Sequence, residues 1–511
     1  MDERATTDTS AGAAAPRAAL VLVLLALVPL FLWPETSWWL IDEPRLLATA
    51  WHANHAHTIA PHGLTGNFRV MYGPMPTHLY QLLIAITDDP ARIALLRALI
   101  AGLTTAAALV WLARSAGLPA WFCAAIIVAP QVTLFHRVMW DASFTIPLGT
   151  LALAALAAFL RTGGKWPFRI ALAAGFLAAI NHPQALPVFI PIAGLLIWRH
   201  RAMFRADKKG LFWTAAPLLA LNGAYLVLLF GNIIWLLTMA PPTSYPGTGS
   251  RLESALAPLL GGNILGCRGI LPPLPGWIAE PVQWATFLIY PMIWLGIAAA
   301  VIKVPRVLRA WRKHGGEPDA RDAIAVTALA GLVLQLLVSV AGRIPCNPQY
   351  YFGTFALHAF FALLGADVLR RVKFGFLPGA AYGLSCAVAT VALAWAGHSR
   401  RDDPPGWPAI RDAMEVVTAL NRYGDAPVFT DIALLDKFPQ AVRAMRLFIP
   451  RNPAYTQRTV PGLLITYERR GEAQTGRMIV RELAAGEHPP GSAEFDASPL
   501  PADWVPPERS W

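Results

Sequence analysis

A chain of 511 residues that is 55% hydrophobic and 14% charged, with a mean hydropathy of +0.45, carries too little charge to cover an ordinary globular surface and suits a lipid-facing one. Its formal charge of +11 does not point to nucleic acid, because the Lys and Arg fall in short segments between apolar runs, as membrane topology signals do. The composition therefore excludes a nucleic-acid partner and indicates a polytopic membrane protein.

The first apolar run, 18–34, resembles a signal-peptide core. No clear A-x-A cleavage site follows, and Pro34-Glu35-Thr36 opens a loop, so the run reads as an uncleaved first span. A span needs roughly 20 apolar residues, and about eleven candidates satisfy that: 18–34, 92–113, 119–135, 143–160, 169–181, 184–198, 211–232, 282–302, 323–342, 351–369 and 374–396. Just beyond the first, Asp42 and Glu43 form an acidic pair. Adjacent carboxylates beside lipid are costly to desolvate, so they are expected to face water, a metal ion or a polar substrate; the alternative is an ordinary solvated loop start.

Under this count the clusters Arg161/Lys165/Arg169, Arg199/Arg201/Arg205/Lys208/Lys209, Lys303/Arg306/Arg309/Arg312/Lys313 and Arg370/Arg371/Lys373 share one side. The positive-inside rule makes that side cytoplasmic, with the amino terminus inside and the carboxyl tail outside an inner (plasma) membrane. The fifth and sixth runs are separated only by Asn181-His182-Pro183. Read as one kinked span they would invert everything after them, and the later basic clusters argue against that.

The outer face then collects segments near 35–90, 232–281 and 397–511, too long to be mere connectors. In the first, 79–86 reads as a helix lying at the interface. The second is rich in Pro and Gly and is expected to be a rigid, irregular lid. In the third, 407–423 has helical periodicity, 427–429 and 463–465 look like short strands, and 478–483 looks helical. The expected fold class is an all-α polytopic membrane protein, 1–397, carrying a small C-terminal α/β extracytoplasmic domain, 398–511.

Four cysteines are too few for a disulfide framework. Cys123 and Cys386 fall inside spans, whereas Cys267 and Cys346 fall in outer loops, where an oxidising compartment would let them pair. His52, His55, His57 and His62 lie close together in the first loop, but their spacing matches no standard metal site, and a solvated interfacial helix is the preferred reading.

The order of several short motifs resembles the GT-C superfamily of polyprenyl-phosphate-sugar-dependent glycosyltransferases, in particular the protein O-mannosyltransferase and lipid A aminoarabinose transferase branch. The motifs are Asp42-Glu43-Pro44, Tyr72-Gly73-Pro74-Met75-Pro76-Thr77-His78-Leu79-Tyr80, His136-Arg137-Val138-Met139-Trp140-Asp141-Ala142-Ser143, Asn181-His182-Pro183-Gln184-Ala185 and Asn347-Pro348-Gln349-Tyr350-Tyr351-Phe352. Each alone is weak; their order and outer-face location make the set moderately specific, to about residue 370.

The resemblance implies transfer of a sugar, with inversion, from a polyprenyl-phosphate donor to a glycan, lipid or protein acceptor outside the membrane. It implies Asp42 as general base, with Glu43 as its partner or a metal ligand. In the same scheme Arg137, with Arg343 second, binds the carrier phosphate; snorkelling to headgroups is the alternative for both. Asp141 departs from the Asn associated with its place and reads as a second metal-site carboxylate, for Mg or Mn, or as a helix cap. His78 and His182 are candidates for sugar or phosphate binding, and Tyr350 and Tyr351 for the carrier groove. Two competing readings are a lipid-carrier transporter or flippase and a non-catalytic carrier-binding protein.

Overall fold

The computed structural model describes residues 9–39, 42–64, 71–239, 251–260, 264–266, 275–312, 316–342, 348–399, 409–423, 426–431, 438–450, 458–470, 475–487 and 489–501. In chain order the helices are α1 (Thr9–Leu27), α2 (Asp42–His55), α3 (Met75–Ile86), α4 (Pro90–Ser115), α5 (Phe122–Ile127), α6 (Pro130–Arg137), α7 (Thr145–Thr162), α8 (Lys165–Asn181), α9 (Leu186–Arg199), α10 (Arg201–Ala206), α11 (Lys208–Met239), α12 (Arg251–Leu259), α13 (Gly276–Thr286), α14 (Ile289–Arg312), α15 (Ala320–Gly342), α16 (Phe355–Leu369), α17 (Leu377–Ser399), α18 (Ile410–Leu420) and α19 (Phe438–Phe448). The strands are β1 (Val428–Asp431), β2 (Gly462–Arg470), β3 (Thr475–Leu483) and β4 (Ser492–Phe495).

Every one of the expected apolar runs is helical. Among the described residues, 7 helices are long and apolar enough to cross a membrane, and the runs 18–34, 119–135, 169–181 and 184–198 form shorter ones. The run 119–135 is broken into α5 and α6, where Pro130 lacks an N–H and disfavours helix in the residue before it. The chain divides into two compact units. The first comprises Met1–Leu30, Leu99–His136 and Ala142–Val391; the second comprises Phe31–Ala98, Arg137–Asp141 and Ala392–Trp511.

In the first unit α16 is apolar all round and buried from Phe355 to Asp367, as expected of a helix enclosed by other helices. It crosses α14 closely because the contact is built from glycines: a Cβ on Gly296 would meet the carbonyl of Phe361, and one on Gly365 the carbonyl of Met292. Without a hydrophobic driving force between helices in lipid, such small-residue contacts supply the packing. The start of α8 lies by the end of α9, since Phe159 contacts both Phe168 and His200 and Phe189 sits against Gly175. The two helices therefore fold back on each other and are not one kinked span.

The basic clusters gather at one end of this unit. Arg169 makes a bidentate pair with Asp207, at 2.6 Å for each bond, and Arg199 donates to Gly316 O at 2.6 Å. Lys303 pairs with Asp322, and Asp367 is ringed by Arg321, Arg370 and Arg371. The region expected to be an irregular lid is partly helical: α12 packs on α15, and Pro258 O receives His358 Nε2 at 2.7 Å. Burial of Ser254 and Ala257 supplies the packing that a reading from Pro and Gly content leaves out.

In the second unit α3 packs on α2, and Leu82 and Ile86 on its other side are exposed, as an interfacial helix requires. The tail forms a sheet in the order β3-β2-β1-β4, with β1 parallel to β2 and the outer strands antiparallel. The segment 478–483, expected to be helical, is a strand: Met478 pairs with Tyr467 and Val480 with Ile465. A short apolar run does not declare its period, and cross-strand pairing decides it. Gly365→Val is expected to drive a side chain into the Met292 carbonyl and cost about 1–3 kcal/mol. Gly194→Ala, where a Cβ meets nothing within 4 Å, is expected to be neutral; thermal unfolding of both variants in detergent checks this.

Candidate active site

The acidic pair opens α2, where unsatisfied backbone N–H groups favour anions. The two carboxylates differ in setting. Asp42 has a side chain 43% exposed and 3.8 Å from Arg45, whereas Glu43 is fully buried. Glu43 belongs to a buried polar group with Tyr80 of α3, Arg97 of α4 and Asp141, all in the second unit. The Arg97 guanidinium is within hydrogen-bonding reach of the Tyr80 hydroxyl, and Glu43 and Asp141 both act electrostatically on Tyr80. Burial pushes the Tyr80 hydroxyl well above the usual phenol range, more than Arg97 pulls it down, so Tyr80 keeps its proton near neutral pH. Glu43 in turn acts electrostatically on Arg97.

Arg97 was not among the residues the motifs singled out, although a signal exists: it stands inside the apolar run 92–113, where an ionisable side chain marks a functional site by default. Arg45 was missed as well, one helical turn after Asp42.

Arg137 is buried and engaged, not snorkelling. One guanidinium nitrogen donates to Trp33 O and to Thr36 Oγ1, each at 2.7 Å. Burial pushes its pKa down to about 10, partly offset by Glu35, so it stays a cation at neutral pH. It thereby holds the turn Trp33–Thr36, in which Trp33 has a φ of 48° and its ring stacks on His398 at 4.3 Å. His78 is half-buried, with Nε2 at 2.8 Å from Ala60 O.

His182 lies in the first unit, buried between α8 and α9, where its Nδ1 accepts from Gln184 N at 3.3 Å. Three motifs meet there as short 3-10 turns. Pro348–Thr354 lies against both Pro183–Ala185 and Ala142–Phe144, and Gly353 approaches the Gln184 carbonyl so closely that only glycine fits. Tyr351 is buried in this assembly; Tyr350 has its backbone in the same turn, and its side chain lies outside the described residues. Arg343, Cys267 and Cys346 also lie outside them.

The loop histidines are held singly. His52 Nε2 is 2.6 Å from Leu500 O, His55 stacks on Trp51 at 3.5 Å, and His62 Nδ1 is 2.7 Å from Gly63 O. Among the described residues no group of three His, Cys, Asp or Glu could hold a metal ion.

Removal of the Arg97 charge by Arg97→Met deprives buried Glu43 of a counter-charge and is expected to cost about 3–5 kcal/mol. The double variant Glu43→Gln/Arg97→Met is expected to recover at least 1 kcal/mol of the summed single losses, about the coupling of a contacting pair. A double-mutant cycle on denaturant unfolding in detergent checks this; additivity of the two single variants would show that the charges are not coupled.

No protein-family model matches the chain, and no curated protein sequence matches it. Solved structures do. The crystal structure of ArnT from Cupriavidus metallidurans in the apo state superposes with a TM-score of 0.52 at 13% identity, over 91% of this chain and 98% of that one. The structure of the same protein bound to undecaprenyl phosphate gives a TM-score of 0.50 at 12% identity, over 93% of this chain and 98% of that one. Over nine-tenths of its length, then, this membrane protein has the fold of ArnT.

Proposed function

We propose that this chain moves a sugar from a polyprenyl-phosphate carrier to a hydroxyl acceptor at the outer face of the membrane, with inversion at the anomeric carbon. The observation that carries the reading is Asp42, an accessible carboxylate at a helix start beside the buried Glu43–Tyr80–Arg97–Asp141 group, in a chain with the fold of a protein that binds undecaprenyl phosphate. The gathering of basic residues at one end of the first unit supports a cytoplasmic placement for that end. By the count of spans along the chain, the carboxylates and the tail are read as facing outside.

The chemistry asks little of the protein. The acceptor oxygen attacks the anomeric carbon, the bond from that carbon to the phosphate oxygen breaks with its electron pair, and the hydroxyl proton passes to the Asp42 carboxylate. Arg45 lies one helical turn on, 3.8 Å from the Asp42 carboxylate. Arg97, Glu43, Tyr80 and Asp141 form a preorganised polar surface that needs no rearrangement during reaction, and burial keeps the proton on Tyr80. His182 and Tyr351 of the first unit, with Arg137 and His78 of the second, are the further substrate-binding candidates. Glu43 and Asp141 are oxygen donors of the type Mg and Mn take. The guanidinium of Arg97 already faces Glu43 in the same buried group, so a divalent cation would meet a fixed like charge there, and no step is routed through a metal.

The test is release of free polyprenyl phosphate by purified protein from a mixed pool of labelled polyprenyl-phosphate sugars, with membrane extract as acceptor. Asp42→Asn is expected to slow release by roughly 10²–10⁴-fold, the usual contribution of a general base, and the labelled acceptor identifies the sugar. Folded wild-type protein that releases nothing from any donor would sink the transferase reading in favour of carrier binding or transport.

A further inference from the structure

The helix that carries Asp42 and Glu43 is gripped at both ends by the carboxyl-terminal tail, within the second unit. Ahead of it, Trp39 is fully buried and its indole Nε1–H donates to Ala441 O of α19 at 2.9 Å. The preceding residues are joined to the tail as well: Ile410 N donates to Ser37 O at 3.0 Å, and Trp38 forms a β-bridge with Ala409. At the far end of the helix, His52 Nε2 donates to Leu500 O at 2.6 Å. Leu500 is itself fastened to α19, since its N–H donates to Arg443 O at 3.3 Å and Arg443 Nε donates to Ser498 O at 3.0 Å. One tail helix therefore anchors the start of α2 through Ala441 and its end through Arg443 and Leu500, and α19 packs along α2 between the two anchors.

We infer that the tail is a positioning element of the active site, and that Trp39 and His52 are the positioning residues that aim Asp42. The inference rests on the transferase reading above. Trp39 touches no reacting atom; it sets where the first turn of α2 begins, and with it the approach of the Asp42 carboxylate to the acceptor hydroxyl. A small misplacement of a catalytic group is costly because the reacting atoms must be held near their attack geometry. The clamp also gives a dedicated tail to a chain whose candidate catalytic side chains all lie outside it.

Trp39→Phe isolates the effect. It keeps an aromatic ring in the buried site and removes only the N–H and part of the ring volume. The Ala441 carbonyl is left satisfied, because it lies inside α19 and accepts from the backbone four residues on. Two readouts on the full-length protein in nanodiscs decide the matter: backbone hydrogen exchange over residues 42–50, and polyprenyl phosphate release per folded molecule. The expected result is faster exchange in 42–50 and a maximal release rate lower by on the order of 10- to 100-fold, with KM for the donor unchanged. His52→Phe is expected to act in the same direction through the other end of the helix. A purely structural contact would lower the yield or the thermal midpoint and leave release per folded molecule intact. Unchanged exchange, or faster exchange with full release, would overturn the inference. Wild-type protein that releases nothing would instead be a failure of the transferase reading, which the exchange experiment does not depend on.

Discussion

A charge in an apolar, dehydrated setting must be paired or moved to water, and the organisation of this chain follows from that constraint. Its cations are of two kinds. One set gathers at an end of the helical unit, where Asp207, Asp322 and Asp367 answer Arg169, Lys303 and Arg321. The other set, Arg97 and Arg137, is buried in the second unit, one beside carboxylates and a phenol, the other against a carbonyl and a hydroxyl. The first set lies among paired carboxylates at the end of one unit, and the second is enclosed by polar groups inside the other.

The two adjacent carboxylates differ in setting. Glu43 is buried and coupled to Arg97 and Tyr80, so its role is to hold a polar arrangement in place. Asp42 remains accessible at the end of the helix, beside Arg45. Consecutive helical residues point in directions about 100° apart, following from 3.6 residues per turn, which is how one dipeptide serves an inner and an outer role. Arg137 serves this arrangement indirectly, by fixing the left-handed turn at Trp33 from which the chain enters α2.

The helical part of the fold was legible because lipid imposes it. Long apolar runs must satisfy their own backbone, and the runs 92–113, 143–160, 323–342 and 351–369 could hardly be anything but helices. The tail was legible only in part. The periodicity of 407–423 and the short apolar runs 427–429 and 463–465 point to the helix and strands that form, but 478–483, six residues with an apolar centre, suits either period, and its pairing with β2 is a long-range choice. The motifs similarly marked the turns that meet around Gly353 and Gln184 without indicating that they meet.

By itself the sequence determined the membrane environment, the position of the apolar runs, and the acidic pair after the first of them. These properties are local: apolar length, charge density and the neighbours of a residue along the chain are sufficient to set them. Tertiary structure alone decided that Glu43 is buried and Asp42 is not, that Arg97 of the apolar run 92–113 stands in the same buried group as Glu43, and that α19, almost 400 residues further on, holds the helix that carries both acidic residues. Burial and pairing are relations between distant segments, and they come into being only when the chain packs.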